Sequence, residues 1–489
     1  MNMRLVATVV LMASAGCAGT TGSAVPISGN RPAPTTIATD ASTTSTTSLA
    51  ATATTGVVSV VSTTVSPPGT TSPEVLSVDT VRNLSEAWRI EGISGTTSRP
   101  VLFEGTIYFG AYDGTLRAVD AETGRQLWTA DVGTATLPGS PLVMDELVVL
   151  GDTAGLLHAV NRQTGTLLWS MRLDGHPHAA LFGSPVLAAT TSGDLVVQGV
   201  GSFEFRMPVE RFTFRGSVVA VDPADGSIRW KTYTTDDDLW GAGVSVWSSP
   251  VVDPDRGLLF VGTGNTHSAP ASPYADGVLA LEVEDGSIAW MRQLTEDDVL
   301  VPESPRAGMD ADVGATPNLF TAAGRDLVGV GDKTGRYVAI DRDDGTLSWS
   351  TKLTRGSRSG GVMGAAAVHR NELYVVSNVG QRGEVAAGPT AGLFVLDAIT
   401  GEVRRSVEFP GRVYAPVTHR NGLVWIALTS GMVQARDSVH LDVLWEQRFP
   451  SLMAGGITTT DRWAYVPYGF WFGELPADPD GGLVAYRLG

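Results

Sequence analysis

DAETGRQLW, residues 120–128, returns along the chain as NRQTGTLLW at 161–169, DPADGSIRW at 222–230, EVEDGSIAW at 282–290 and DRDDGTLSW at 341–349. The shared pattern is Asp-x-x-x-Gly-x-x-x-Trp. Two weaker copies follow: DAITGEVRR at 397–405 ends in Arg405 where the ring should stand, and DSVHLDVLW ends at Trp445. With the orphan Trp88 in LSEAWRI, seven tryptophans and one arginine fill eight slots.

Each copy follows an alternating apolar run such as GTLRAVD or GRYVAID. The Asp therefore closes one strand, the Gly supplies a left-handed turn position, and the next strand carries the Trp. A second hairpin precedes it, as in PVLFEGTIYFG and NELYVVSN, so one repeat holds about four short antiparallel strands, the size of a propeller blade. The C-terminal GGLVAYRLG supplies a strand with no Trp after it, and Trp88 has no such strand before it. Joined in one shared blade, the two ends close the ring and leave no open sheet edge. The expected fold is an all-β, eight-bladed β-propeller, with seven or nine blades as the alternatives, and each indole is expected to cap the seam between neighbouring blades.

Successive slots are separated by 40, 41, 61, 60, 59, 56 and 40 residues, so four consecutive blades are long. In a radial repeat, extra residues go into loops on one face, where a rigid scaffold carries its binding site. Function is therefore sought between residues 170 and 405.

The first seventeen residues, MNMRLVATVVLMASAGC, join one Arg, an apolar run and small residues to the single cysteine of the chain. This predicts a signal peptide whose Cys17 accepts a lipid, although Ser14 stands where lipoproteins usually have Leu; plain secretion or an uncleaved anchor are the alternatives. Residues 18–78, rich in Thr, Ser, Ala and Pro, carry too few large apolar side chains to offset ordering entropy and read as a flexible tether, leaving 79–489 as the propeller. The expected location is the extracytoplasmic face of the cell membrane, held by the lipid. A net charge of −17 with no basic run argues against nucleic acid. There is no Cys-x-x-Cys-His for covalent haem.

These repeats resemble the pyrroloquinoline quinone (PQQ) propellers. DGHPHAALFGSPV (174–186), FTFRGSVVAVDPADGSIRWKTY (212–233), VWSSPVVDPDRGLLFVGTGN (246–265) and VGVGDKTGRYVAIDRDDG (328–345) look most like the polyvinyl-alcohol dehydrogenase branch. PQQ is a planar tricarboxylate, so its site needs an aromatic face, cationic donors and, usually, Ca²⁺ on hard oxygen ligands. The resemblance implies that the off-ladder Trp247 stacks under the quinone, that Asn265 and Glu204 hold PQQ and Ca²⁺, and that Lys333 in GDKTG meets the quinone oxygen. A carboxylate base is also required. In LTEDDVLVPES the matched acids are Glu296, Asp297 and Asp298, of which Asp297 and Asp298 are the catalytic candidates; the position of the relatives' catalytic Asp falls on Val301. Asp310 and Asp312 are in reserve. Other departures are the missing vicinal cysteine pair and Ala180, which takes the place of an Arg. His176 and His178 form a weak metal motif with no carboxylate at ligand spacing.

Three functions follow as expectations. One is a PQQ/Ca²⁺ dehydrogenase-like protein acting on small or polymeric alcohols, polyols or sugars with a separate electron acceptor. The second is a non-catalytic propeller that binds an envelope protein or a glycan. The third is a ligand sensor without turnover. If Glu204, Trp247, Asn265 and Lys333 meet at one mouth of the ring beside a carboxylate, the first reading gains.

Overall fold

In the computed structural model the described residues are 74–208, 211–236, 239–299, 310–357, 359–379, 390–470 and 481–489. They form eight antiparallel sheets and no α-helix. Blades 1 to 7 span 101–131, 142–172, 179–233, 251–293, 318–352, 367–409 and 418–448. Each has four strands in chain order, except that blade 3 gains a fifth, Ala179–Ala180. Blade 8 is composite: Thr458–Thr459, Trp463–Tyr468 and Gly481–Leu488 are followed in space by Leu84–Ile93, with Trp88 opposite Ala485. The eight-bladed ring and its shared closing blade are as the repeat predicts.

First strands of successive blades lie beside one another, so they line the axis. The fourth strands, carrying the ladder tryptophans, lie at the rim. Six indoles, Trp88, Trp128, Trp169, Trp230, Trp290 and Trp349, each donate Nε1–H at 2.9–3.1 Å to the carbonyl that follows the motif's first residue in the next blade. The ring lies on that blade's turn glycine. A Cβ on Gly124, Gly165, Gly226, Gly286, Gly345 or Gly401 would come within 2.4–2.7 Å of it. The glycine thus serves both the positive φ and the indole's seat.

The seam between blades 6 and 7 departs from this rule in both partners. Arg405 replaces the indole but keeps its hydrogen bond, with Nη2 2.7 Å from the Ser438 carbonyl, and the turn position is Leu441 at φ +64°. Without an indole face to accommodate, a Cβ fits. Trp445 has no turn ahead of it, because the turn into the last strand is where the chain ends fall; its ring packs edge-on against Tyr486 at 4.9 Å. The folded body begins a little before residue 79: Leu76 is buried, with its N–H donating to the Asp461 carbonyl. Cys17 and most of the expected tether lie outside the described residues.

Antiparallel order fixes the two faces. Turns between second and third strands, and the links from one blade to the next, fall on one face; the Asp-to-Trp hairpins fall on the other. The described residues of the extra length sit on the first face, in 203–208, 211–216, 234–236, 239–250, 263–276, 294–299 and 310–317.

Candidate functional site

That face gathers the residues singled out in the sequence. Trp247 and Gly314 sit in blade-to-blade links, Glu204, Asn265 and Lys333 in second-to-third turns, and Asp298, Asp310 and Asp312 in the link into blade 5. The half-buried Trp247 lies flat on the backbone of Gly314, where a Cβ would fall 1.7 Å from Cη2. The Lys333 ammonium stands 5.3 Å from the centroid of the indole. Lys333 Nζ donates to Asp310 Oδ1 at 2.8 Å and Asp312 Oδ2 at 2.6 Å, and Asp312 Oδ1 accepts the Asn265 N–H at 2.6 Å. Trp247, Lys333, Asp312 and Asn265 therefore form one connected group.

Burial alone would lower the pKa of Lys333, but Asp312 and Asp310 more than offset it and hold the ammonium above its ordinary range. Asp312 pays for burial with the Lys333 charge, which keeps its carboxyl below the usual value. Asp298 is buried and accepts the Ala311 N–H at 2.9 Å, so it stands against the same segment. Asp297 and Glu296 are exposed and stay outside the group. Val301 lies outside the described residues.

Glu204 is fully buried. Its Oε1 accepts the Thr213 and Phe214 N–H groups at 2.5 and 2.9 Å and lies 3.3 Å from His176 Nε2. Sequence spacing gave His176 no carboxylate; the fold supplies Glu204. Glu204 also acts electrostatically on His267, which Asp312 and Lys333 reach too, so it borders the Trp247 group through that ring. Ala180 is buried in the short strand paired with 201–202 and offers no cation.

Two residues passed unnoticed in the sequence. Asp276 is wholly buried with neither carboxylate oxygen hydrogen-bonded, and burial, with Asp312, Asp298 and Asp310 nearby, pushes its pKa far up. His267 is buried with an unpartnered Nδ1, and desolvation lowers its pKa. The available signal was positional: Asp276 stands in an Asp-Gly pair at the entry to a third strand, as Asp113 does. Asp276 and Asp310 both adopt positive φ, and so does the β-branched Val244. Such strain gathers where surrounding contacts over-determine the backbone.

The group fits part of what PQQ requires. Trp247 offers a flat face, Lys333 a cation, and the buried Asn265 Nδ2 a donor with no partner. The metal half is less complete: among the described residues, no three of His, Cys, Asp or Glu converge at ligand distances. Any Ca²⁺ would draw its remaining oxygens from PQQ, backbone or water. Cavities of about 450 and 400 Å³ lie elsewhere, beside Arg99 and beside His369.

Residues 73–273 match the family described as outer membrane protein assembly factor BamB, and residues 241–355 that described as the glucose/ethanol/alcohol dehydrogenase β-propeller domain. The second match spans Trp247, Asn265, Asp276 and Lys333. A polyvinylalcohol dehydrogenase from Pseudomonas sp is 29% identical over 70% of this chain and 52% of its own length; one from Sphingopyxis sp. is 27% identical over 65% and 47%. The chain thus spans about half the length of the curated relatives it matches. Among solved structures, a europium-containing methanol dehydrogenase superposes with a TM-score of 0.67 at 18% identity, covering 84% of this chain and 95% of its own. BamB from Moraxella catarrhalis gives 0.57 at 13%, covering 83% and 99%. At these identities the structural likeness concerns fold.

Proposed function

We propose, from the premise that this chain belongs to the PQQ-type β-propeller repeat family, that it is a dehydrogenase-like quinoprotein oxidising alcohols or polyols, tethered outside the cell membrane through a lipid on Cys17. The observation that carries the reading is Lys333, fixed by two aspartates over the face of Trp247, an off-ladder indole on the long-loop face. Trp247 would stack on the cofactor, and Lys333 would donate to its oxygens. Asn265 and Glu204 would hold Ca²⁺ beside it. PQQ, when bound, supplies the acceptor for a hydride. Asp310 and Asp312 are committed to Lys333, which leaves Asp298 to take the hydroxyl proton. A separate electron acceptor would then reoxidise the cofactor.

The second reading is a non-catalytic propeller that binds protein or glycan in the envelope. It draws on the BamB match and on the absence, among the described residues, of a preformed metal cluster. The full chain titrated with PQQ and either Ca²⁺ or Eu³⁺ separates the two, with cofactor absorbance and dye reduction followed on primary, secondary and polymeric alcohols. Saturable binding with turnover supports the dehydrogenase. No binding at micromolar PQQ overturns it, and binding without turnover leaves a ligand sensor. Trp247→Ala is expected to weaken PQQ binding about tenfold or more, roughly 1.4 kcal/mol.

A further inference from the structure

Two residues ahead of each first strand, the chain repeats a small side chain around the axis. Blades 2 to 5 have Ser140, Ser184, Ser249 and Thr316; blades 6 to 8 have Ala365, Pro416 and Gly456. Blade 1 alone has a large one, Arg99. The hydroxyls link blade to blade: the N–H groups of Arg99, Ser140, Ser184 and Ser249 donate to the next residue's hydroxyl oxygen at 3.0, 2.9, 2.8 and 3.4 Å. Where the hydroxyls stop, Arg99 fills the space. Its stem lies on Gly456, where an added Cβ would stand 3.1 Å from Cγ and Cδ. Its Nη2 crosses blade 8 to donate to Thr418 Oγ1 at 3.0 Å and the Ile457 carbonyl at 3.2 Å.

Those two bonds leave Nε and Nη1 without partners, and no carboxylate among the described residues pairs with Arg99. Burial accordingly lowers its pKa with nothing to offset it. A half-buried guanidinium whose free donors still reach solvent and which has no counter-charge is a seat for an anion that completes it. Beside it is a cavity of about 450 Å³, lined also by Thr459, whose hydroxyl is unpartnered among the described residues, and by Arg420, held 2.7 Å from Asp461. In a chain of net charge −17, Arg99 is a half-buried positive charge that no carboxylate among the described residues offsets. We propose that Arg99, Thr459 and Arg420 bind a small oxyanion, a carboxylate or phosphate group, on the axial side of blades 7, 8 and 1. The geometry suits it, because a guanidinium fork and a hydroxyl match two oxygens of one planar or tetrahedral group.

The test is calorimetric titration and thermal shift of the full chain, free of PQQ, with phosphate and with citrate, each against NaCl of equal ionic strength. Saturable binding of at least one, with a melting temperature raised beyond the NaCl control, is expected, and the anion that saturates identifies the source. Arg99→Gln should abolish the response. Thr459→Val, which leaves both Arg99 bonds in place, should weaken it at least threefold without changing the melting temperature in NaCl. Trp247→Ala should leave it unchanged, which separates this site from carboxylate capture at the indole. A response no greater than that to NaCl, or one that survives Arg99→Gln, overturns the proposal.

Discussion

Gly314 lets Trp247 lie flat on the backbone, so Gly314→Ala should displace the indole without touching any polar group. Its Cβ would fall 1.7 Å from Cη2, and overpacking of that kind costs about 1–3 kcal/mol. Denaturant unfolding and PQQ titration of the variant are expected to show both a lower midpoint and weaker binding; an unchanged affinity would mean the indole face is not used. Asp276 offers a pH test at the same scale. Its pKa is raised in the fold, so its contribution to stability is full below the ordinary carboxylate range near ~4 and is lost as pH rises toward the folded value. Asp276→Asn removes that loss, and the variant should gain on the wild type from pH ~4 upward, by about 1–3 kcal/mol near neutrality. Urea unfolding across that range measures the gap, and a gap that does not widen would show the carboxyl to be ionised or satisfied.

At the scale of a blade seam, the paired exchange of Trp for Arg405 and Gly for Leu441 is a built-in double substitution. Arg405→Trp alone sets an indole against the Leu441 Cβ and should destabilise by ~2 kcal/mol or more; adding Leu441→Gly should restore much of it. A double-mutant cycle in urea is expected to give a coupling of at least ~1 kcal/mol, whereas additivity would sever the link between the two positions. The same seam titrates. His369 and His419 stack at 4.2 Å, and burial, then the charge of His369, pushes His419 down to about 4, with Glu372 acting the other way. The neutral ring stabilises the fold above its unfolded value near ~6.5, and that stability is lost as pH falls toward about 4. The melting temperature should therefore fall over this interval in the wild type and less in His419→Phe. Arg405 bonds Glu372 and holds its carboxyl down to about 2, so that pair persists through the same range.

For the whole molecule, ring closure rests on Leu84–Ile93, the outer strand of the last blade. Removing every residue through Ile93 strips that blade of its outer strand and Gly124 of the Trp88 indole, and the cooperative unfolding transition should be lost in calorimetry. A truncated chain that still melted in one sharp step would mean the ring does not depend on this closure. The ladder made the architecture legible in one dimension, because a propeller repeats a single local solution: an alternating strand, a turn glycine and an indole that reaches only the next blade. Hydrophobic period, turn chemistry and spacing are properties of neighbours in the chain, so they determined the eight blades, the shared closing blade and the face that received extra loops. The polar group on that face was only partly legible. Trp247, Asn265 and Lys333 could be named from their segments, yet the pairing of Lys333 with Asp310 and Asp312, the meeting of His176 with Glu204, the burial of Asp276 and the reach of Arg99 past blade 8 to blade 7 became visible only in three dimensions. Each joins residues from different turns, links or blades, and the burial that sets their charge states and hydrogen bonds exists only once the ring has closed.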